Sequence, residues 1–254
     1  MQDPTERFSD RVETYAKYRP RYPDDMMRFL ETLVPPPATV ADIGSGTGIL
    51  TRQLLNNRYE LYAVEPNEAM RREAEQRLSG YPAFRSVRGT AETTTLADRS
   101  VDLITCAQAF HWFDRVKTKL EFSRILKANG MTALLWNERL DDASPLNRAY
   151  DTLLKEMAPD YQNVSNRRVG VEDIRAFFAP SEVQIRTFPN NQILDRRGFL
   201  GRLLSCSYVP NLGQPGHREI IEAAEKLFDT HQDGGKITFD YETKVYIEAR
   251  ATEP

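Results

Sequence analysis

The sequence predicts an α/β protein built on a doubly wound, mostly parallel sheet, and three observations carry that prediction. Between Thr39 and Trp136, five short apolar segments alternate with stretches of helical periodicity. The first of them runs straight into Gly44, Gly46 and Gly48, three glycines at alternate positions followed at once by a helical pattern. Such glycines let a strand end in a tight reversal and expose bare backbone at the positive end of the next helix. Near the C-terminus, residues 237–249 carry Ile, Phe, Tyr, Thr, Val, Ile and Ala at the odd positions and mostly polar residues between them. That alternation reads as a half-buried strand of antiparallel pairing.

The bulk composition narrows the class. The 254 residues are 40% hydrophobic and 28% charged, enough for one α/β domain with additions or for two small domains. A net charge of -3 gives no basic footprint for nucleic acid. No apolar run approaches the roughly 20 residues of a membrane span, and an acidic N-terminus is unlike a signal peptide. Cys106 and Cys206 lie in apolar surroundings without redox or metal spacing, so both read as buried thiols of a cytoplasmic protein. The three histidines are not paired at ligand spacing, and no metal is expected.

Taken in order, the aromatic and basic stretch Tyr15-Ala16-Lys17-Tyr18-Arg19-Pro20-Arg21-Tyr22-Pro23 reads either as a solvated linker or as a flap closing over a ligand with Tyr18, Arg19 and Tyr22. Its two prolines forbid a continuous helix. A helix then opens at Asp24, with Met26, Leu30, Leu33 and Val34 on one face, and stops at Pro35-Pro36-Pro37. Strands are expected at 39–43, 61–64, 84–87, 101–106 and 131–136. Between them fall a helix after Gly48, one over 68–78 capped by Asn67, and one capped by Asp114 that buries Val116, Leu120 and Ile125 and ends at Asn129-Gly130. Beyond Trp136, Ser144-Pro145 opens a helix with a stripe of Leu146, Ala149, Tyr150, Leu153, Leu154 and Met157. Residues 182–187 alternate, with Val183 and Ile185 on one side, and 195–204 and 216–228 are helical. The implied organisation is a flap and ligand-binding core over 1–137, lid insertions with a sixth strand over 138–236, and a strand completing the sheet over 237–254.

The ligand is argued from the glycine loop and from Glu65, which ends the second strand 21 positions after Gly44. In a βαβ unit that places a carboxylate beside the loop, where it can accept both hydroxyl protons of a ribose. A dinucleotide and S-adenosylmethionine (SAM) both fit this pattern. The run Gly44-x-Gly46-x-Gly48 is one residue tighter than the dinucleotide fingerprint, and Ile49 stands where its third glycine would be.

Together, Asp42-Ile43-Gly44-Ser45-Gly46-Thr47-Gly48, Val64-Glu65-Pro66-Asn67-Glu68-Ala69-Met70, Gly89-Thr90-Ala91-Glu92 and Val101-Asp102-Leu103-Ile104 followed by Gln108-Ala109-Phe110-His111-Trp112-Phe113 resemble the class I SAM-dependent methyltransferases. More narrowly they are similar to the small-molecule branch that includes trans-aconitate methyltransferase-like proteins. The resemblance implies a Rossmann-like seven-stranded sheet with an antiparallel last strand, helices on both faces and a helical lid. It also implies roles. Gly44, Ser45 and Gly46 would face the methionine and ribose, and Asp42 would hold the loop. Glu65 would take the ribose hydroxyls, while Pro66 and Met70 would line the adenine pocket. Ala91 and Glu92 would border the adenine edge. Gln108 and Ala109 would lie near the sulfonium.

In open parallel sheets, ligands lie beyond the carboxyl ends of the strands. His111 and Trp112 follow the fourth strand, so they would face the transferred methyl: Trp112 offers an N–H donor and His111 a donor or a base. Ser205 and Tyr208, near the end of an amphipathic helix, either line the substrate pocket or cap a turn. The expected activity is methylation of a small molecule, at a carboxylate or hydroxyl. Methylation of a protein or of a nitrogen or carbon acceptor stays open, as does a nucleotide-dependent oxidoreductase.

Overall fold

A computed structural model describes residues 11–158, 160–161 and 169–248. Ala249 and the rest of the expected C-terminal segment, residues 1–10 and part of the expected lid lie outside the described residues. In chain order the elements are α1 (Val12–Tyr18), α2 (Asp24–Leu33), β1 (Thr39–Ile43), α3 (Ile49–Asn56), β2 (Glu60–Val64), α4 (Glu68–Leu78), β3 (Phe84–Val87) and β4 (Val101–Ala107). After a 3-10 turn at Phe110–Trp112 follow α5 (Arg115–Ile125), β5 (Leu126–Arg139), α6 (Pro145–Met157), α7 (Val171–Phe178), β6 (Val183–Asp195), α8 (Arg196–Leu204), α9 (His217–His231) and β7 (Lys236–Glu248).

The seven strands form one sheet in the order β3-β2-β1-β4-β5-β7-β6, six of them parallel and the last antiparallel. The chain winds outward from β1 to β3 and then returns to pair β4 with β1. The carboxyl ends of β1 and β4 therefore flank the switch point of the sheet, where ligands of this architecture bind.

Packing divides the chain into two compact units. The sheet unit comprises the described parts of Arg21–Trp136, Ser165–Phe188 and Thr243–Pro254. Its central strands β1 and β4 are buried on both faces, and the side chains of the sheet alternate between two cores. Val40, Leu61, Leu103 and Leu135 meet Met26 and Leu30 of α2, Leu54 of α3 and Leu78 of α4 on one side. Ala41, Val64, Ile104 and Leu134 meet Phe122 of α5 and Ile174, Phe177 and Phe178 of α7 on the other. The period of two in a doubly covered strand requires this division. The helix α7, inside the span read as lid, is thus part of the sheet unit's core.

The second, helical unit comprises the described parts of Met1–Pro20, Asn137–Val164 and Pro189–Glu242. Its core is Leu146, Tyr150, Leu153 and Leu154 of α6, Phe199 and Leu203 of α8, Ile220, Ala224 and Phe228 of α9, and Ile237, Phe239 and Tyr241 of β7.

Several expectations are corrected. In α5 the buried face is Thr118, Glu121, Phe122 and Ile125, whereas Val116 and Leu120 are 74% and 69% exposed. Glu121 is drawn inward because its carboxylate accepts the backbone N–H and hydroxyl of Thr94 and pairs with Arg124. That helix ends at Ile125, and Asn129-Gly130 lies within a strand that begins at Leu126. Ile185 is exposed, since β6 is an edge strand of the sheet. Within the stretch read as linker or flap, Val12–Tyr18 is helical and the prolines follow it.

Candidate active site

The glycine loop leaves β1 with positive φ at Gly44, Gly46 and Gly48 (67°, 57° and 79°), a conformation that side chains strain. A second constraint applies at Gly44, where a Cβ would lie 2.5 Å from the Cβ of Ala109. The segments after β1 and β4 therefore touch backbone to side chain, and only a residue without Cβ permits that approach.

The loop is tied to the end of β2. The N–H groups of Gly44 and Ser45 donate to the Val64 carbonyl at 2.9 and 3.2 Å. Next along, the Glu65 carboxylate accepts the N–H of Gly46 on one oxygen and that of Asn67 on the other, both at 2.8 Å. Glu65 is 7% exposed, and burial raises its pKa against the opposing pull of those two N–H groups and of Arg71. Each of its oxygens retains a further lone pair for a ligand. The Asn67 side chain caps α4 by accepting the Met70 N–H, which sets Met70 against the loop: a Cβ on Gly46 would lie 3.7 Å from its sulfur.

Asp42 lies beneath the loop, not in it. It is 1% exposed and accepts the hydroxyls of Thr51 at 2.6 Å and Thr105 at 3.0 Å, joining α3, β1 and β4. Burial pushes its pKa up to about 6, with the two hydroxyls pulling the other way. From there it supports the loop from below.

Beyond β4, Gln108 takes a positive φ of 58° while its N–H donates to Leu135, which turns the chain sharply into the 3-10 turn carrying His111 and Trp112. These two side chains are half-buried, with ring centroids 4.7 Å apart. Ala91 is buried, and the Glu92 carboxylate accepts the Asp114 N–H at 2.8 Å, so one of its oxygens is engaged in holding the start of α5.

The sheet unit thus brings together Gly44, Ser45, Gly46, Glu65, Met70 and Ala109 around one loop. Pro66 follows Glu65 in that same segment. Tyr22 does not join them: its ring packs in the core with Met26 and Leu54, and its backbone exchanges hydrogen bonds with the Gln53 side chain. Tyr18, Arg19, Ser205 and Tyr208 belong to the helical unit. There Tyr18 lies against Gly201, and Arg19 donates to the Ser205 carbonyl at 3.0 Å and lies over the Tyr15 ring. The Ser205 hydroxyl is fully buried and donates to the Arg202 carbonyl at the end of α8. Tyr208 packs edge-on against Tyr161. Thr51, Thr105 and Arg71 are not singled out by sequence; a threonine inside the apolar strand at 105 is the one local hint. Among the described residues, no group of three or more His, Cys, Asp or Glu could hold a metal ion.

The loop fits a ribose-bearing cofactor. The Ser45 hydroxyl is buried within it without a protein partner, and the Glu65 carboxylate is presented beside it by backbone donors. Comparison with known proteins agrees. Residues 41–134 match the methyltransferase domain family. An uncharacterized methyltransferase of Mycobacterium tuberculosis is 35% identical over 133 residues, 52% of each chain. A malonyl-[acyl-carrier protein] O-methyltransferase of Methylococcus capsulatus is 34% identical over 113 residues, 43% of this chain and 41% of the relative. The chain spans about half the length of the curated relatives it matches first. A solved structure described as a type II methyltransferase, from Anaeromyxobacter dehalogenans, superposes with a TM-score of 0.67 at 23% identity, over 91% of this chain and 97% of that one. Loop, strand order and domain match together mark residues 41–134 as a methyltransferase domain on the class I methyltransferase fold.

Proposed function

We propose that the protein transfers a methyl group from SAM to a small molecule, at a carboxylate or hydroxyl oxygen. The observation that carries the cofactor is the Glu65 carboxylate, buried, held by two backbone N–H groups and adjoining the Ser45 hydroxyl. In this reading Glu65 accepts the ribose hydroxyls, Gly44 and Gly46 admit the ligand against bare backbone, and Pro66, Met70 and Ala91 border the adenine. SAM, when bound, supplies a methyl already activated by its sulfonium. What remains for the protein is alignment and exclusion of water.

In this reading His111 and Trp112, which follow β4 at the switch point, meet the acceptor. The Trp112 N–H would orient an acceptor oxygen. The His111 imidazole would take a proton from a hydroxyl acceptor, whereas a carboxylate needs no base. The O-methyltransferase name of one relative supports an oxygen acceptor. The net charge of -3 and the absence of a membrane-length apolar helix among the described residues accord with a small acceptor in the cytoplasm.

Two measurements test the reading. Calorimetric titration should give binding of SAM and none of NADH; the reverse would refute it. Transfer of labelled methyl from SAM across a panel of small carboxylic acids and phenols should mark at least one acceptor. Silence with bound SAM would dismiss the oxygen acceptor and leave the cofactor standing.

A further inference from the structure

The helical unit draws the side chains of both Arg139 and Arg202 inward and treats them differently. Arg139 is satisfied within the chain: its guanidinium meets Asp141 at 2.7 Å, Asp151 at 3.4 Å and the Tyr161 hydroxyl at 2.8 Å, and it lies over the Tyr150 ring. Arg202, on α8, is 6% exposed and has no carboxylate partner among the described residues. Its Nη1 donates to the Cys206 sulfur at 2.8 Å, and its Nε–H has no partner in the protein. A thiol is a weak acceptor and does not balance a guanidinium charge.

The surroundings of Arg202 have the same imbalance. Its electrostatic neighbours are Tyr241, Cys206, Tyr150 and Tyr208. The hydroxyls of Tyr150 on α6 and Tyr241 on β7 are buried and unpartnered in the protein. Three buried groups able to donate, Arg202 Nε, Tyr150 OH and Tyr241 OH, therefore share one apolar core with a permanent positive charge. Buried polar groups are as a rule satisfied, and a buried charge is paired. A group that brings negative charge and acceptor oxygens, and no donors, complements all three at once. A planar carboxylate does so, and guanidinium geometry suits it best.

We infer that Arg202, Tyr150 and Tyr241 form a binding site for a carboxylate of a small organic acid. The site lies wholly within the helical unit, and it does not rest on the reading of the glycine loop.

Saturation-transfer NMR of the full chain with acetate and benzoate, and with acetamide and benzamide as neutral isosteres, tests the inference. The acids should bind and the amides should not. Tyr241→Phe and Tyr150→Phe keep the packing and remove one hydroxyl each. Each should weaken the acids by roughly tenfold without lowering the melting temperature, because no internal partner is lost. Arg202→Met should abolish acid binding; if it fails to fold, the two phenylalanine variants carry the test. SAM titration of the same variants should be unchanged, which separates this site from the glycine loop. Equal binding of acids and amides, unaltered acid binding in all variants, or melting temperatures lowered by the phenylalanine variants would overturn the inference. So would thiolate absorbance from Cys206 at neutral pH in the absence of any acid, since the charge would then be balanced within the chain.

Discussion

Glu65 and Gly46 are joined by a 2.8 Å hydrogen bond in which the carboxylate of one accepts the N–H of the other. The same carboxylate is thus both a brace for the loop and, in the proposed function, a ligand to ribose. Glu65→Ala should weaken SAM by roughly tenfold or more, a loss of about 1.4 kcal/mol or above. Glu65→Gln keeps one acceptor oxygen and should fall between. Calorimetry with SAM checks both; equal affinity in all three proteins would detach Glu65 from the cofactor.

Gly44 and Gly46 separate two kinds of constraint. Both need positive φ, but a Cβ at Gly44 would also lie 2.5 Å from Ala109, while at Gly46 its nearest neighbour is the Met70 sulfur at 3.7 Å. Gly46→Ala should cost about 1–2 kcal/mol from backbone strain, and Gly44→Ala clearly more. Urea denaturation of the pair reads the order directly.

Asp42 gives the fold a pH dependence of defined sign. Burial lifts its pKa from 3.8 to about 6, so the folded state holds the proton longer than the unfolded chain does. Its contribution is most favourable below about pH 4, declines as pH rises to about 6, and is constant above. The decline amounts to about 2–3 kcal/mol. Asp42→Asn should remove it, so the difference in unfolding free energy between the two proteins should change across that window. A constant difference from pH 4 to pH 7 would mean that Asp42 is not shifted.

On α5, Phe122→Ala should cost about 3–5 kcal/mol, whereas Leu120→Ala should change stability by less than about 0.5 kcal/mol. Phe122 is 3% exposed against 69% for Leu120. Thermal unfolding of the two variants distinguishes the faces.

That helix also shows where sequence reading stops. The bounds of β1, α4 and β3 were legible to the residue, because a glycine loop, the Asn67 cap and short apolar runs punctuate them locally. The face of α5 was not. Val116 and Leu120 make a plausible stripe, and the buried Glu121 becomes sensible only with Thr94, 27 residues away. The site divides in the same way. Gly44, Gly46 and Glu65 are marked by spacing along the chain. The hold of Thr105 on Asp42, across 63 residues, is a matter of strand register, as is the core setting of Tyr22. Tyr150, Arg202 and Tyr241 come together from three elements with no common motif.

The last strand sets the order in which this chain can mature on the ribosome. Ile237, Phe239 and Tyr241 belong to the helical unit's core, and Val245, Tyr246 and Ile247 to the two cores of the sheet unit. Neither unit has its full interior until residues near 248 have left the exit tunnel. Both should therefore consolidate only once β7 has emerged, and a nascent chain stalled before β7 should be protease-sensitive throughout.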